Sequence, residues 1–510
     1  MKNAVIIICL FLVILPFSGE SVQLENWRLP WYKIAQELGE LQQSPSGMFW
    51  DDLTWVSPSF APGLWPDTQA YKKDHWTLEP SASLSANNVE YVDGNNYFWT
   101  FDILNDIKYK RFTARQTLDV DSRYSNDPTY YWKDDRIAAG RIEEAYLQYT
   151  GKYGMFRFGR LKRNWGPFVD RSLLLSNNAH SFDAFEWQIF SSIFEFRHMF
   201  ASFVYPWNHF YSVDFDNYNP AATPEYNRYF SAHSLNFMIG EWATLGITET
   251  IIFSRRNQFP DLQYLNPFSI YTVTNTNMEG SGNLIVGLQW KVHPFTKKVS
   301  LLGQVAFDDI QVDNEGAGDQ EPTHWGIDVA GHWHNPLPVR AAQALSLEYS
   351  YGSRWLYTVA DANANQGERY IYMGKSLGRP TIDGDLLGLS FTLVPENYWA
   401  ATLGIRYERR GLNTPKSRWS EYEGYDSTSN VLNYRPEPPL STRDNLDRIL
   451  TLSLDARGYF RDFADIRLGF ANKLIQKTEK GIKGDFEYEP EVHVTITAHY
   501  SNFFLSLPDK

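Results

Sequence analysis

Residues 446–470 read LDRILTLSLDARGYFRDFADIRLGF. Leu446, Leu450, Leu452, Leu454 and Ala456 fall on one side of a two-residue period; Asp447, Thr451, Ser453, Asp455 and Arg457 fall on the other. After a turn at 458–461 the pattern resumes, with Ala464, Ile466, Leu468 and Phe470 set against Asp465, Arg467 and, further on, Lys473. Successive side chains of a strand point to opposite faces, so each segment has one apolar and one charged face. A soluble sandwich also alternates. Asp, Arg and Lys recurring on one face of several strands, however, need water on that side, and the lumen of a membrane barrel supplies it.

The same reading extends along the chain. Val299, Leu301, Val305 and Phe307 oppose Ser300, Gln304 and Asp308. Trp399, Ala401, Leu403, Ile405 and Tyr407 oppose Thr402, Arg406 and Glu408. Val492, Val494, Ile496, Ala498 and Tyr500 oppose His493, Thr495, Thr497 and His499. Short turns are expected at Asn105-Asp106, 150–152, Phe194-Glu195, 240–242, 293–296, 334–338, 395–397 and 458–461. Long connections are expected between them, at 122–140, 163–181, 207–227, 256–282, 351–382 and 411–445, with shorter ones near 311–322 and 475–489. Short turns at one end and long loops at the other are how outer-membrane barrels are built. The rhythm predicts an all-β, antiparallel transmembrane barrel of about 18 strands over 76–510, the first strand at about 77–87 and the last at 490–504, with both termini periplasmic.

Composition fits. Aromatics make up 16% of the chain, with 18 Trp and 31 Tyr, yet the mean hydropathy is −0.42. Lumen-facing residues offset lipid-facing ones in such an average, while aromatic girdles raise the Trp and Tyr count. Met1-Lys2, an apolar run over 4–17 and the small residues Ser18, Gly19 and Ser21 read as a secretory signal peptide, 1–21, cleaved after Ser21. The run is too short to cross a bilayer as a helix. The single cysteine, Cys9, lies within it, so disulfides, a thiol nucleophile and a cysteine metal site are not expected in the exported chain. Trp31, Ile34, Ala35, Leu38 and Leu41 at helical spacing predict an amphipathic helix. Residues 22–75 are expected to form a helical and irregular periplasmic cap or plug.

No phosphate loop, dinucleotide fingerprint, HExxH or GxSxG is present. His332 and His334 share a face, but no carboxylate accompanies them in sequence, and ordinary histidines beside Trp333 are the expectation. Ala232-His233-Ser234 puts His and Ser on opposite faces, as adjacent strand residues must be, and Glu143-Glu144 and Asp308-Asp309 are separated in the same way. No enzyme, metal or cofactor is expected, and a net charge of −13 without a basic run argues against nucleic acid. An outer-membrane hydrolase is the reading the spacing favours least. What the loops do carry is aromatic and polar residues together: Arg160, Arg163, Trp165 and Arg171; Trp207, His209 and Tyr211; Arg354 and Trp355 with Tyr357; Arg418, Trp419 and Tyr422. Ring faces stack on sugar C–H surfaces, and guanidinium groups pair with uronate or phosphate oxygens. Trp and Tyr at strand ends also serve as interfacial girdle, an alternative that sequence leaves open.

A strand ending Phe158-Gly159-Arg160, followed by Trp165-Gly166-Pro167 and then Leu174-Leu175-Ser176-Asn177-Asn178-Ala179, resembles the Wzi-type capsule assembly proteins. Further pieces follow in order: 228–235 (RYFSAHSL), in which Ser234 stands where the family carries a basic residue; Glu249 after Leu245-Gly246; Leu265-Asn266-Pro267-Phe268; and Phe307-Asp308-Asp309. The resemblance spans roughly 75–500. It implies an eighteen-stranded outer-membrane barrel with helices on its periplasmic side, and a lectin-like role in holding capsular or extracellular polysaccharide at the cell surface. The other partners expected are outer-membrane lipid and the barrel-assembly machinery, for a chain that is otherwise monomeric. A porin or polysaccharide export channel is the alternative. Gly159, Gly166, Pro167, Asn177 and Asn178 are expected to shape the 163–181 loop, with Gly166 and Pro167 stopping strand pairing so that it folds inward.

Overall fold

The structure, a computed structural model, describes residues 76–91, 94–124, 139–151, 153–168, 171–191, 193–203, 226–240, 242–256, 259–277, 282–296, 298–309, 324–339, 342–359, 368–396, 399–417, 425–426, 431–432, 446–460, 464–479, 482–500 and 505–507. The expected signal peptide, the helix in 24–45 and the rest of the cap segment lie outside the described residues.

Eighteen long strands form one closed antiparallel barrel. In chain order they are β1 (Trp76–Tyr91), β2 (Gly94–Tyr109), β3 (Phe112–Asp121), β4 (Ala139–Thr150), β5 (Gly154–Leu161) and β6 (Phe182–Phe190). Next come β7 (Phe194–Phe203), β8 (Tyr226–Ile239), β9 (Ala243–Arg256), β10 (Asn283–Val292), β11 (Val299–Asp309) and β12 (His324–His334). The last six are β13 (Ala342–Gly352), β14 (Gly384–Glu396), β15 (Trp399–Arg410), β16 (Asp447–Phe460), β17 (Ala464–Glu479) and β18 (Ile482–Tyr500). Each pairs with the next, and β1 pairs with β18 from Ala82 opposite Tyr500 to Glu90 opposite Val492. A short strand, Leu505–Leu507, continues that pairing along Trp76–Leu78. Closure leaves the sheet no unpaired edge.

The two faces of the wall differ as the alternation requires. Leu403, Leu454 and Phe470 stand in one row across β15, β16 and β17, and all three are exposed on the outside. Leu147, Phe158 and Phe185 make a similar outer row on β4, β5 and β6. The inner face is ionic: Arg457 meets Asp465 at 3.1 Å, Arg467 meets Asp455 at 3.0 Å, and Lys473 meets Glu491 at 2.6 Å.

Several turns sit elsewhere than expected. Asn105-Asp106 lies within β2, where the Asp106 carboxylate takes Arg115 Nε of β3 at 2.6 Å; the reversal comes at Lys110 and Arg111, with Lys110 at φ 50. Phe194-Glu195 opens β7, with Glu195 fully buried inside, and the turn precedes it. The connection expected near 475–489 is strand almost throughout: β17 and β18 are joined through residues 480–481, and Lys477 and Glu487 pair across the hairpin at 2.9 Å. The first strand runs on to Tyr91 for a similar reason, since the loop between β1 and β2 is only 92–93.

An eighteen-strand barrel encloses more space than its own inward side chains fill. Here two of the long loops enter it. Residues 162–181, between β5 and β6, contribute Trp165, Leu173, Leu174, Leu175 and Ala179 to a buried cluster. Residues 353–383, between β13 and β14, contribute Leu356, Tyr357, Tyr370, Tyr372, Leu377 and Ile382. The wall supplies Ala184, Met199, Ala201, Phe203, Phe230, Ala232, Ile252, Ile285 and Ala306. Small residues there let the loops approach closely. Gly287 is the limiting case, because a Cβ on it would lie 2.2 Å from Leu174 Cδ1. Gly287→Ala is therefore expected to destabilise by about 1–3 kcal/mol through overpacking, and Leu174→Ala by about 2–5 kcal/mol. The double variant should lose clearly less than the sum, because the alanine methyl then enters the vacated space. Chemical unfolding in detergent, followed by tryptophan fluorescence, measures this, and strict additivity would mean the two side chains do not share that space.

Candidate functional site

The long-loop mouth is shaped first by backbone demands. Gly159, near the end of β5, has φ 132, and a Cβ there would meet the Ala145 carbonyl at 2.2 Å. Only glycine sits comfortably in that conformation. Four residues on, Arg163 turns back and is fully enclosed. Its guanidinium donates to the carbonyls of Gly159 (3.1 Å), Leu161 (3.0 Å) and Phe182 (2.8 Å) and reaches Glu186 Oε2 at 3.4 Å. A buried cation persists only when paired and fully hydrogen-bonded, and these contacts meet that requirement. Arg163 thus ties the two ends of the 162–181 loop together.

The interior of that loop is fixed to the wall and to its neighbour. The Trp165 amide donates to the Leu175 carbonyl at 2.9 Å, and the Leu173 amide donates to Gln304 Oε1 of β11 at 2.6 Å. A Cβ on Gly166 would meet Ser172 Oγ at 2.4 Å, and Pro167 beside it is buried. The Ser176 amide donates to the Leu377 carbonyl at 2.8 Å, and Asn178 Nδ2 donates to the Ser376 carbonyl at 2.9 Å. Asn177 is half-buried at the adjoining turn. From the other loop, the hydroxyls of Tyr357 and Tyr370 each donate to a loop carbonyl at 2.5 Å, Leu173 and Leu174 respectively.

These positions divide the expected sugar-contacting residues. Trp165 is 2% exposed, with the Arg197 guanidinium 5.7 Å from its ring, and Trp355 is 3% exposed beneath Arg354. Stacking on a sugar needs an open ring face, and neither ring has one in this conformation. Arg163 is likewise enclosed. Arg160 reaches the outside of the rim and pairs with Asp183 at 2.6 Å. Arg171 is half-buried, ion-paired with Glu348 of β13, and lies over the Phe168 ring at 5.3 Å. Arg354 is half-buried, 4.9 Å from the Trp355 ring. Trp207, His209, Tyr211, Arg418, Trp419 and Tyr422 lie outside the described residues.

Sequence reasoning missed a second polar cluster at the mouth. Between β3 and β4 the register slips: Thr117 faces Glu144 but Leu118 faces Ile142, which leaves Glu143 as an extra residue. A bulge of this kind defeats simple alternation, and both glutamates end up largely enclosed rather than split between faces. Glu143 takes Arg141 at 2.5 Å and Lys162 at 3.0 Å, while Arg141 Nη1 lies 2.6 Å from His180 Nδ1. Burial, reinforced by Lys375, Arg141 and Lys162, holds His180 down to about 2, so it stays neutral. No local motif encodes this group, since its members come from β4, two loop ends and the second loop.

The histidines and the serine are placed differently from one another. His332 and His334 point inward and are buried, His332 Nδ1 lying 2.9 Å from Ser346 Oγ, while Trp333 faces out. His233 faces outward and Ser234 inward, as expected, but Ser231 shares the outer face with His233. His233 Nε2 lies 2.9 Å from Glu249 Oε2. Ser231 Oγ is engaged by the Tyr264 carbonyl at 2.6 Å and by the Tyr271 hydroxyl at 2.7 Å. It serves there as a packing contact rather than as one end of a serine–histidine relay.

Glu368, buried in the second loop near Arg228 and Arg255, is pushed up to about 7 by burial, which outweighs both arginines. A folded-state pKa above the usual carboxylate value gives stability that is full below about pH 4.5 and lost as pH rises through 7. Glu368→Gln is therefore expected to melt above the wild type at pH 8 and level with it at pH 4.5. His180 works in the opposite sense, losing stability as pH falls below 6.5, so the measured quantity is the variant-minus-wild-type difference in Tm across pH. A flat difference would remove Glu368 from the pH dependence.

Among solved structures, the chain is similar to Wzi of Escherichia coli, described as an outer membrane protein involved in group 1 capsule assembly and a carbohydrate-binding β-barrel. That match has a TM-score of 0.53 at 12% identity and covers 91% of this chain and 92% of that one. OccD3 (OpdP) of Pseudomonas aeruginosa matches at a TM-score of 0.45 and 8% identity, covering 84% and 92%. OpdK of the same organism matches at 0.45 and 8%, covering 83% and 99%. No curated protein sequence matches the chain. The family described as capsule assembly protein Wzi matches residues 84–413, and the chain belongs to that family.

Proposed function

We propose that this protein is a non-enzymatic outer-membrane barrel that binds capsular or extracellular polysaccharide at its long-loop mouth and retains it at the cell surface. The observation that carries this reading is the buried core inside the wall, built from 162–181 and 353–383, combined with an outer wall that remains apolar. Loops packed inside the wall leave less room for an opening and favour a presented surface over a porin's channel. With short turns toward the periplasm, as in other outer-membrane barrels, the long loops and their cations face outside. Membership in the capsule assembly family supports the assignment, as does the carbohydrate binding ascribed to the Escherichia coli barrel of the same fold.

The chemistry at the mouth suits an acidic glycan. Arg141, Lys162, His180 and Lys375 gather around the single Glu143, and Arg160 and Arg354 stand on other sectors; Arg171 points into the barrel, where it is paired with Glu348. Guanidinium groups offer paired donors to a uronate carboxylate or a phosphate. In this arrangement Arg163, Trp165 and Trp355 act from beneath, holding the loops that present the others.

Deleting the gene should shift polysaccharide from the cell-bound to the shed fraction, quantified by uronic acid assay after washing; unchanged retention would sink the binding role. Substituting Arg160 and Arg354 together by Ala should reproduce the shedding while leaving the barrel heat-modifiable on gels. Altering Trp165-Gly166-Pro167 should impair assembly and retention together. Planar-bilayer recording distinguishes the channel alternative, for which a large steady conductance is required.

A further inference from the structure

The connection between β9 and β10 behaves unlike the other long loops. Residues 259–277, FPDLQYLNPFSIYTVTNTN, contain one charged side chain, Asp261, which is paired with Arg255 at the end of β9. The segment holds two short helices, α1 (Leu262–Leu265) and α2 (Tyr271–Asn277). Tyr264 and Tyr271 from these pack on Tyr229, Ile251 and Phe253. Their strand neighbours Phe230 and Ile252 belong to the lumen core, so alternation puts Tyr229, Ile251 and Phe253 on the outside of the barrel. The segment therefore lies against the outer wall. Phe268, at its tip, stacks on Phe196 (centroids 6.0 Å, 7° between planes), a residue two positions from the short-turn end of β7. It reaches far down the membrane-facing surface.

Two properties suit that position. The outward crest is apolar: Phe259 is 92% exposed, Leu262 79%, Phe268 78%, with Ile270 and Val273 also exposed. These side chains extend the band formed by Ile247 and Leu288 on the strands beneath. Several of its backbone groups have partners. The Tyr271 amide donates to Glu249 Oε2 at 2.9 Å, the Phe268 amide to Asn266 Oδ1 at 3.1 Å, the Thr274 amide to the Ile270 carbonyl at 2.9 Å, and the Tyr264 carbonyl accepts from Ser231. Chain that enters hydrocarbon must satisfy its peptide groups internally. Thr272 Oγ1 also donates to Glu249 Oε1 at 2.6 Å, so Glu249 joins wall and segment.

We propose that residues 259–277 form a re-entrant segment lying in the hydrocarbon of the outer membrane, its crest in contact with lipid acyl chains, and pinned to the wall by Glu249. This rests on the membrane-barrel reading above. The test uses a Cys9→Ser background and nitroxides on single cysteines at Phe268, Val273, Leu454 of the outer band and Phe295 of the β10–β11 turn, in phospholipid vesicles. Collision rates with oxygen and with a water-soluble nickel chelate are measured. Expected is a tenfold or greater preference for oxygen at 268 and 273, matching 454 and unlike 295. Nickel access at 268 and 273 equal to that at 295 overturns the proposal. Nickel access at 454 as well would instead overturn the membrane-barrel reading. Strong dipolar coupling between copies at 268 would put a second copy where lipid is proposed, and also overturns it. Glu249→Ala should mobilise the label at 268 with 454 unchanged; an immobile label refutes the pinning.

Discussion

The hydroxyls of Tyr357 and Tyr370, donating to consecutive carbonyls at Leu173 and Leu174, join two loops that are far apart in sequence. Once closure has fixed the barrel's width, something must occupy the space, and irregular backbone placed in a closed interior must find partners for its peptide groups. Neither loop satisfies this alone. The first supplies carbonyls and three leucines; the second supplies phenols, the Leu377 carbonyl and Ser376. Each loop completes the other's hydrogen bonds, and the wall contributes Gln304, whose amide group addresses Leu173 N and the Trp165 carbonyl.

That mutual dependence explains why Trp165-Gly166-Pro167 is structural before it is anything else. The glycine admits Ser172 at a distance no side chain would allow, the tryptophan fills the core, and Arg163 just before them locks the ends of the loop. What remains above, where glycan binding is proposed, is cations held in ion pairs such as Arg160–Asp183 and Arg141–Glu143. The exposed Arg160–Asp183 pair contributes little to stability. In the proposed function the use of these pairs lies in presenting donors at fixed places.

The barrel itself was legible because its determinants are local. Lipid outside and water inside impose a two-residue period on every strand, and Leu452, Leu454, Leu468 and Phe470 on the outside against Asp455 and Asp465 on the inside show it directly. The packing of the long loops was not legible in the same way. Whether a tryptophan stacks on sugar or fills a core depends on partners such as Tyr357, which joins Leu173 across 184 positions of sequence. Nothing near Trp165 announces them. Turn positions failed where a side chain suited to turns was recruited across the strand, as Asp106 was by Arg115. The bulge at Glu143 shifted two carboxylates that simple alternation had separated.

The outer wall offers a more informative failure of alternation. On β8 and β9 the outward positions include Ser231, His233 and Glu249, residues that a lipid-facing strand should avoid. In sequence they look like noise in the pattern. In the structure they are the places where another segment lies on the wall: Ser231 meets Tyr264 and Tyr271, Glu249 meets Tyr271 and Thr272, and His233, bonded to Glu249, lies ring to ring with Tyr271 at 4.3 Å. A carboxylate facing lipid is tolerable only if covered, and a peptide segment in lipid is tolerable only if its amides are taken up. Each therefore removes the cost of the other. Polar residues interrupting the outward face of a barrel strand, followed within a loop's length by an almost uncharged, aromatic connection, are a sequence signature of chain folded back along the wall.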